Sequence, residues 1–195
     1  MLVTPRRRRR RIAAPLAPID RRLLELVQRR GAGPLRHGAV AFSQLGRGGR
    51  VWFGLALLVG AGERPLRRLE GTVISMLAVG SAFAGSTVLA RALGRSRPCG
   101  LRVRSLVPCP EGGSFPSDQA AAAFAAAKVF GWLEPRARLW LGGGAAIVAI
   151  SRVAAGVHYS SDVAAGGLIG AAIGRAATAA AEHRSSLADS KGDPG

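Results

Sequence analysis

Charged and apolar side chains are segregated into blocks along this chain, and that segregation limits its fold more than any other feature. Gly71–Ala90 and Leu139–Ser151 carry no charge at all. Arginines stand apart from them: Arg6 to Arg11 form an unbroken row, followed by Arg21, Arg22, Arg29, Arg30, Arg36, Arg47 and Arg50. A soluble helix intersperses the two kinds of residue around its circumference. Basic blocks beside uncharged apolar blocks mark a membrane protein with basic juxtamembrane segments. A net charge of +17 in a chain that is 48% hydrophobic agrees with this reading.

So much arginine also suits nucleic-acid binding. Zinc spacing, an aromatic RNA-binding signature and a helix-turn-helix pattern are all missing, and aromatics make up only 5%. No nucleic-acid partner is expected; the basic N-terminus is expected to meet anionic lipids. Lysine occurs only at Lys128 and Lys191, so nearly every cation is an arginine, which can bind phosphate in bidentate fashion. No metal-ligand spacing exists, and neither metal nor cofactor is expected. Ile12–Asp20 is short and broken by proline, so no cleaved signal peptide is expected to begin at Arg6–Arg11.

Residues 1–18 and the tail from Ser185 to Gly195 are expected to be disordered, leaving residues 19–184 as one domain. Leu23, Leu24, Leu26 and Val27 alternate with charge at helical spacing, which predicts an amphipathic helix on the membrane surface. Leu35–Leu45 reads as a second such helix. Apolar blocks follow at Val51–Gly62, Gly71–Leu93, Gln119–Leu133, Leu139–Ala155 and Val163–Ala181. They predict an all-α, multi-pass bundle of four to five transmembrane helices in the cell membrane, since a crossing takes about 20 residues. Gly166, Gly167, Gly170 and Gly174 would permit close helix–helix approach.

Three polar islands interrupt this pattern, each at a helix end. Arg91 to Pro98 leaves Arg97 where Pro98 stops a helix. In Ser114-Phe-Pro-Ser-Asp-Gln, Ser117 occupies an N-cap position ahead of the alanine-rich helix. A helix start of that kind can cap itself or hold phosphate. In the third island Ser151 and Arg152 precede His158 and Asp162. His158 and Asp162 are four apart, so the carboxylate can orient the imidazole, and a neutral oriented imidazole is a nucleophile. Charged groups at membrane depth are costly and usually functional.

Together the islands resemble the three signatures of the type 2 phosphatidic acid phosphatase superfamily, over roughly Gly71 to Gly174. The resemblance implies a metal-independent phosphatase. His158 would attack phosphorus to form a phosphohistidine, Asp162 would orient it, and Arg97, Arg152 and Ser117 would hold the phosphoryl group. Two positions depart from the family. Its first signature begins with lysine where this chain has Ala90, for which Arg91 is a candidate substitute. Its second ends in histidine, the acid for the leaving oxygen, where this chain has Gln119.

Glutamine cannot deliver a proton, so loss of the acid should hurt monoesters most and diphosphates least. The expected substrate is a lipid phosphate or polyprenyl diphosphate, with Asp118 as a substitute acid. The alternative is a binder of lipid phosphates, or a partner subunit, without turnover. Cys99 and Cys109 share one loop and would pair in an oxidising compartment. Five spans beginning at Val51 would put the basic N-terminus and all three islands on one side of the membrane. By the positive-inside rule that side is the cytoplasm, whereas the family site usually faces away from it.

Overall fold

The computed structural model describes residues 17–30, 33–45, 54, 65–100, 103 and 105–191. Within them lie six α-helices: α1 (Ala17–Arg30), α2 (Pro34–Leu45), α3 (Pro65–Leu93), α4 (Asp118–Leu133), α5 (Arg138–Ala154) and α6 (Ser160–Lys191). No strand occurs among the described residues. The fold is the all-α membrane bundle expected from the apolar blocks. Arg6–Arg11 and, apart from Gly54, the expected Val51–Gly62 span lie outside the described residues.

Each boundary has a local chemical cause. Proline opens α3, where its missing N–H would be unsatisfied anyway. Gly94, at φ +62°, closes α3 with its N–H on Ala90 O at 3.0 Å. Ser117 caps α4 by accepting from Ala120 N, and Pro135 follows just beyond its far end. At the end of α5, Gly156 takes φ +75°. Asp162 Oδ2 accepts from Tyr159 N at 2.8 Å, so the first turn of α6 is held by its own carboxylate.

Among the described residues, three segments are long and apolar enough to cross a membrane: Glu70–Leu93, Pro135–Ala154 and Ser160–Leu187. The alanine-rich α4 has a different place from a lipid-facing span. It is the central helix, packed by α3, α5 and α6, with Ala120, Ala121, Ala122, Ala123, Ala125 and Ala126 at most 1% exposed. Alanine suits that position because a helix surrounded by three others has room for little more than a methyl group. Contact with α6 is closest: a Cβ placed on Gly166 would lie 2.3 Å from Ser117 O, and one on Gly170 2.0 Å from Ala121 O. Between helices in lipid, such close approach supplies the van der Waals contact that hydrophobic burial does not.

Of the tail expected to be disordered, Ser185–Lys191 continue α6, and residues 192–195 lie outside the described residues. Ser185–Lys191 contains no glycine or proline, and the first breaker is Gly192.

All three islands meet at one end of the bundle, where α3 and α5 finish and α4 and α6 begin. Helices α1 and α2 lie at that end too: Asp20 of α1 bonds Ser161, and Gln44 of α2 faces His158 across a cavity.

Candidate active site

The sharpest feature of that end is the hydrogen bonding of His158, which is 2% exposed. Its Nδ1 lies 2.8 Å from the Ser114 carbonyl oxygen and 3.6 Å from Asp162 Oδ2. Both neighbours are acceptors, so Nδ1 carries the hydrogen and donates it to Ser114 O. Nε2 lies 2.9 Å from Arg97 Nη1, a group that can only donate. The lone pair therefore resides on Nε2, directed at Arg97 and the cavity. Burial is the largest influence holding the imidazole below the ordinary histidine pKa. Arg97 and Arg152 act in the same sense and Asp162 against it, so His158 is neutral at neutral pH.

Asp162 lies on the same edge of the ring, as expected from its spacing. At 3.6 Å its Oδ2 is beyond normal hydrogen-bond length, and the Ser114 carbonyl at 2.8 Å is the nearer acceptor. The reason is local: Oδ2 is held by Tyr159 N, while Oδ1 accepts from Arg95 Nη1. Asp162 remains the nearest negative charge to Nδ1, placed to stabilise positive charge developing on the ring.

The cavity beside Nε2 has a volume of about 190 Å³ and is lined in part by Arg97, Arg152, His158, Asp118, Gln119 and Gln44. Arg152 is 3% exposed. Arg97 is fixed by donating from Nη1 to Val157 O at 3.1 Å, and its buried Nε has no hydrogen-bond partner. The Gln119 Oε1 is likewise buried without a partner, while Asp118 Oδ1 accepts from Gln119 N at 2.8 Å. One half-buried and one buried guanidinium, of Arg97 and Arg152, beside a lone-pair nitrogen suit a phosphoryl group, whose charge they can neutralise. Among the described residues no cluster of metal-ligating side chains occurs.

Two expected site residues sit elsewhere. Ser117 is buried and does not line the cavity; its side chain caps α4, and its N–H donates to Asp162 O at 3.0 Å. Arg91 is exposed and lines an adjoining hollow of about 410 Å³ with Gly94, Arg95, Ser96, Gly112 and Gly113. The neighbouring Ala90 is 7% exposed and packs beneath Gly113. A larger hollow of about 770 Å³ lies between α4 and α5 at the opposite end of the bundle and includes none of the islands.

Sequence reasoning missed the Ser114 carbonyl, Arg95 and Asp20. A backbone acceptor leaves no mark in a sequence, and Asp20 reads there as one polar residue of an amphipathic helix. Arg95 stands two residues before Arg97, which is the only hint of its involvement.

A helical membrane bundle in which a buried, neutral histidine shares a cavity with Arg97 and Arg152 offers a setting that can hold a phosphoryl group. Comparison with known proteins identifies the family: residues 71–185 match the PAP2 superfamily, and the chain belongs to it. Its structure is similar to the crystal structure of Aquifex aeolicus LpxE, with a TM-score of 0.71 and 28% identity over 82% of this chain and 94% of that one. It also resembles the transmembrane PAP2 type phosphatidylglycerolphosphate phosphatase from Bacillus subtilis, with a TM-score of 0.72 and 23% identity. That match covers 86% of this chain and 87% of the other, and the likeness is one of fold. No curated protein matches the sequence significantly.

Proposed function

We propose that this protein is a membrane lipid phosphatase that works through a phosphohistidine on His158, with lipid diphosphates as its better substrates. The observation carrying this reading is the fixed tautomer of His158, with Nδ1–H on Ser114 O and the Nε2 lone pair facing Arg97. Arg97 lies where an incoming phosphoryl oxygen would replace Nε2 as its partner. Nε2 then attacks phosphorus, an N–P bond forms, and the P–O bond to the leaving group breaks. Positive charge on the phosphorylated ring is met by Asp162 and the Ser114 carbonyl. Water next attacks phosphorus, the N–P bond breaks, and inorganic phosphate leaves with neutral His158 restored. The proton released by water passes to solvent.

Leaving-group chemistry supports the diphosphate preference. A lipid alkoxide must be protonated as it departs, whereas a lipid monophosphate leaves readily as an anion. Gln119 lines the cavity and cannot supply a proton, and Asp118 is the acid-capable side chain beside it. The same glutamine favours a second reading, a binder of lipid phosphates that does not turn over. Phosphate release by detergent-purified protein distinguishes the two. Faster release from a polyprenyl diphosphate than from phosphatidic acid, lost in His158→Ala, supports the enzyme. No release above that control on either lipid supports the binder.

The Cys99–Cys109 disulfide supports a site end that faces an oxidising compartment. Arginines do not decide the orientation, because they occur at both ends: Arg97 and Arg152 near the site, Arg136 and Arg138 at the start of α5.

A further inference from the structure

Helix α1 lies outside the family-matched residues 71–185, yet one of its side chains reaches the neighbourhood of the nucleophile. Asp20 is 2% exposed in a helix whose Arg21, Arg22 and Leu23 all face outward. Its Oδ1 accepts from Ser161 N at 2.9 Å, and its Oδ2 accepts from Ser161 Oγ at 2.6 Å and Arg95 Nη2 at 2.7 Å. Arg95 continues the chain of contacts: its Nη1 donates to Asp162 Oδ1 and Ser161 Oγ, and its guanidinium stacks over the Tyr159 ring at 4.5 Å. Burial would raise the Asp20 pKa, but the bonds from Ser161 and Arg95 outweigh it and hold the carboxyl below its ordinary value. Asp20 is therefore an anion at neutral pH.

We infer that Asp20 and Arg95 form a positioning pair through which α1 sets the charge felt by His158, by dividing the Arg95 guanidinium between Asp20 and Asp162. The inference rests on His158 being the nucleophile. Were Asp20 neutral, Arg95 would pair with Asp162 alone and mask the carboxylate 3.6 Å from Nδ1. Were Arg95 neutral, Asp162 would act on the imidazole unopposed. The two losses therefore push His158 in opposite directions. The other groups facing it stay constant across the comparison: Arg97 after α3, Asp118 of α4, Arg152 of α5 and Tyr159 before α6.

The test uses the full chain in detergent with Asp20→Asn, which keeps an acceptor for Ser161 N, and Arg95→Gln. The acid limb of phosphate release should fall by about half a pH unit or more in Asp20→Asn and rise by a similar amount in Arg95→Gln. The double variant should behave like Arg95→Gln, because Asp20 acts on Asp162 only through that guanidinium. A purely structural role would lower the amplitude of both profiles and leave the limb in place. Limbs that do not move, or that move in the same direction, overturn the inference. Titration of the His158 Cε1–H signal by NMR gives the same comparison without turnover, and only His37 and His183 accompany it. Opposite shifts there, with no phosphate release from any lipid, would keep the Asp20–Arg95 coupling and refute the phosphatase.

Discussion

Substituting Gly166 with alanine should disable this protein from a distance, and the structure indicates by how much. The added methyl carbon would lie 2.3 Å from Ser117 O and 3.2 Å from Ala120 Cβ. That is about 1 Å inside a tolerable carbon–oxygen contact, and backbone, unlike a flexible side chain, cannot swing aside. Relief requires the start of α4 to move away from α6 by a similar distance. The movement would strain the Ser117 N–H bond to Asp162 O and shift Asp118 and Gln119 against His158.

Overpacking of this kind costs about 1–3 kcal/mol, which alanine's better helix propensity offsets by only about 1 kcal/mol. A 1 Å misplacement at a reacting site costs about 10²-fold in rate. Gly142→Ala is the matched control, since a Cβ there meets nothing within 4 Å. It gains propensity alone, worth a rise of about 2–4 °C in Tm for a chain of this size. Thermal unfolding in detergent and phosphate release, measured side by side, check both variants. If Gly166→Ala were as stable and as active as Gly142→Ala, the proposed close packing of α4 on α6 at the site would be wrong.

Three further outcomes follow from the site. Gln119→His should raise monoester turnover by about 10²–10⁴-fold while changing diphosphate turnover much less; equal gains on both substrates in a steady-state assay would refute the leaving-group account. Because His158 is held below the ordinary histidine value, the unfolded chain takes up its proton first as pH falls through about 6.5. Folding stability should therefore decline below that pH, while phosphate release persists to the lower folded value, and a pH series of unfolding and activity measures both. In intact cells, a maleimide reagent should label Cys99 and Cys109 only after reduction; labelling without reduction would remove the support for an oxidising site end.

The sequence revealed the membrane character and the identity of the reacting groups more readily than their arrangement. Charge-free blocks such as Gly71–Ala90 announce spans because lipid excludes charge, whatever the packing. His158, Arg152 and Arg97 are legible because ionisable groups beside apolar membrane blocks are costly and rare without a function. The place of α4 was harder to read. Alanine has modest hydrophobicity, so a run of it looks like a weak span, and its use as the packed centre becomes clear only with α3, α5 and α6 around it. The partner of Nδ1 could not be read at all, since Ser114 acts through its backbone carbonyl. The four-residue spacing places Asp162 beside His158, but that Arg95, 67 positions earlier, takes one of its oxygens is not legible in the sequence.

The central claim is that Nε2 of His158 becomes bonded to phosphorus during turnover. The most direct measurement mixes the purified protein with a polyprenyl diphosphate, quenches rapidly in alkali, where phosphohistidine survives, and locates the adduct by peptide mass spectrometry and phosphorus NMR. The account predicts one phosphohistidine, at His158 and on Nε2, because Nδ1 is occupied by its hydrogen bond to Ser114 O. Phosphate release without an adduct at His158, or an adduct on Nδ1, would contradict it.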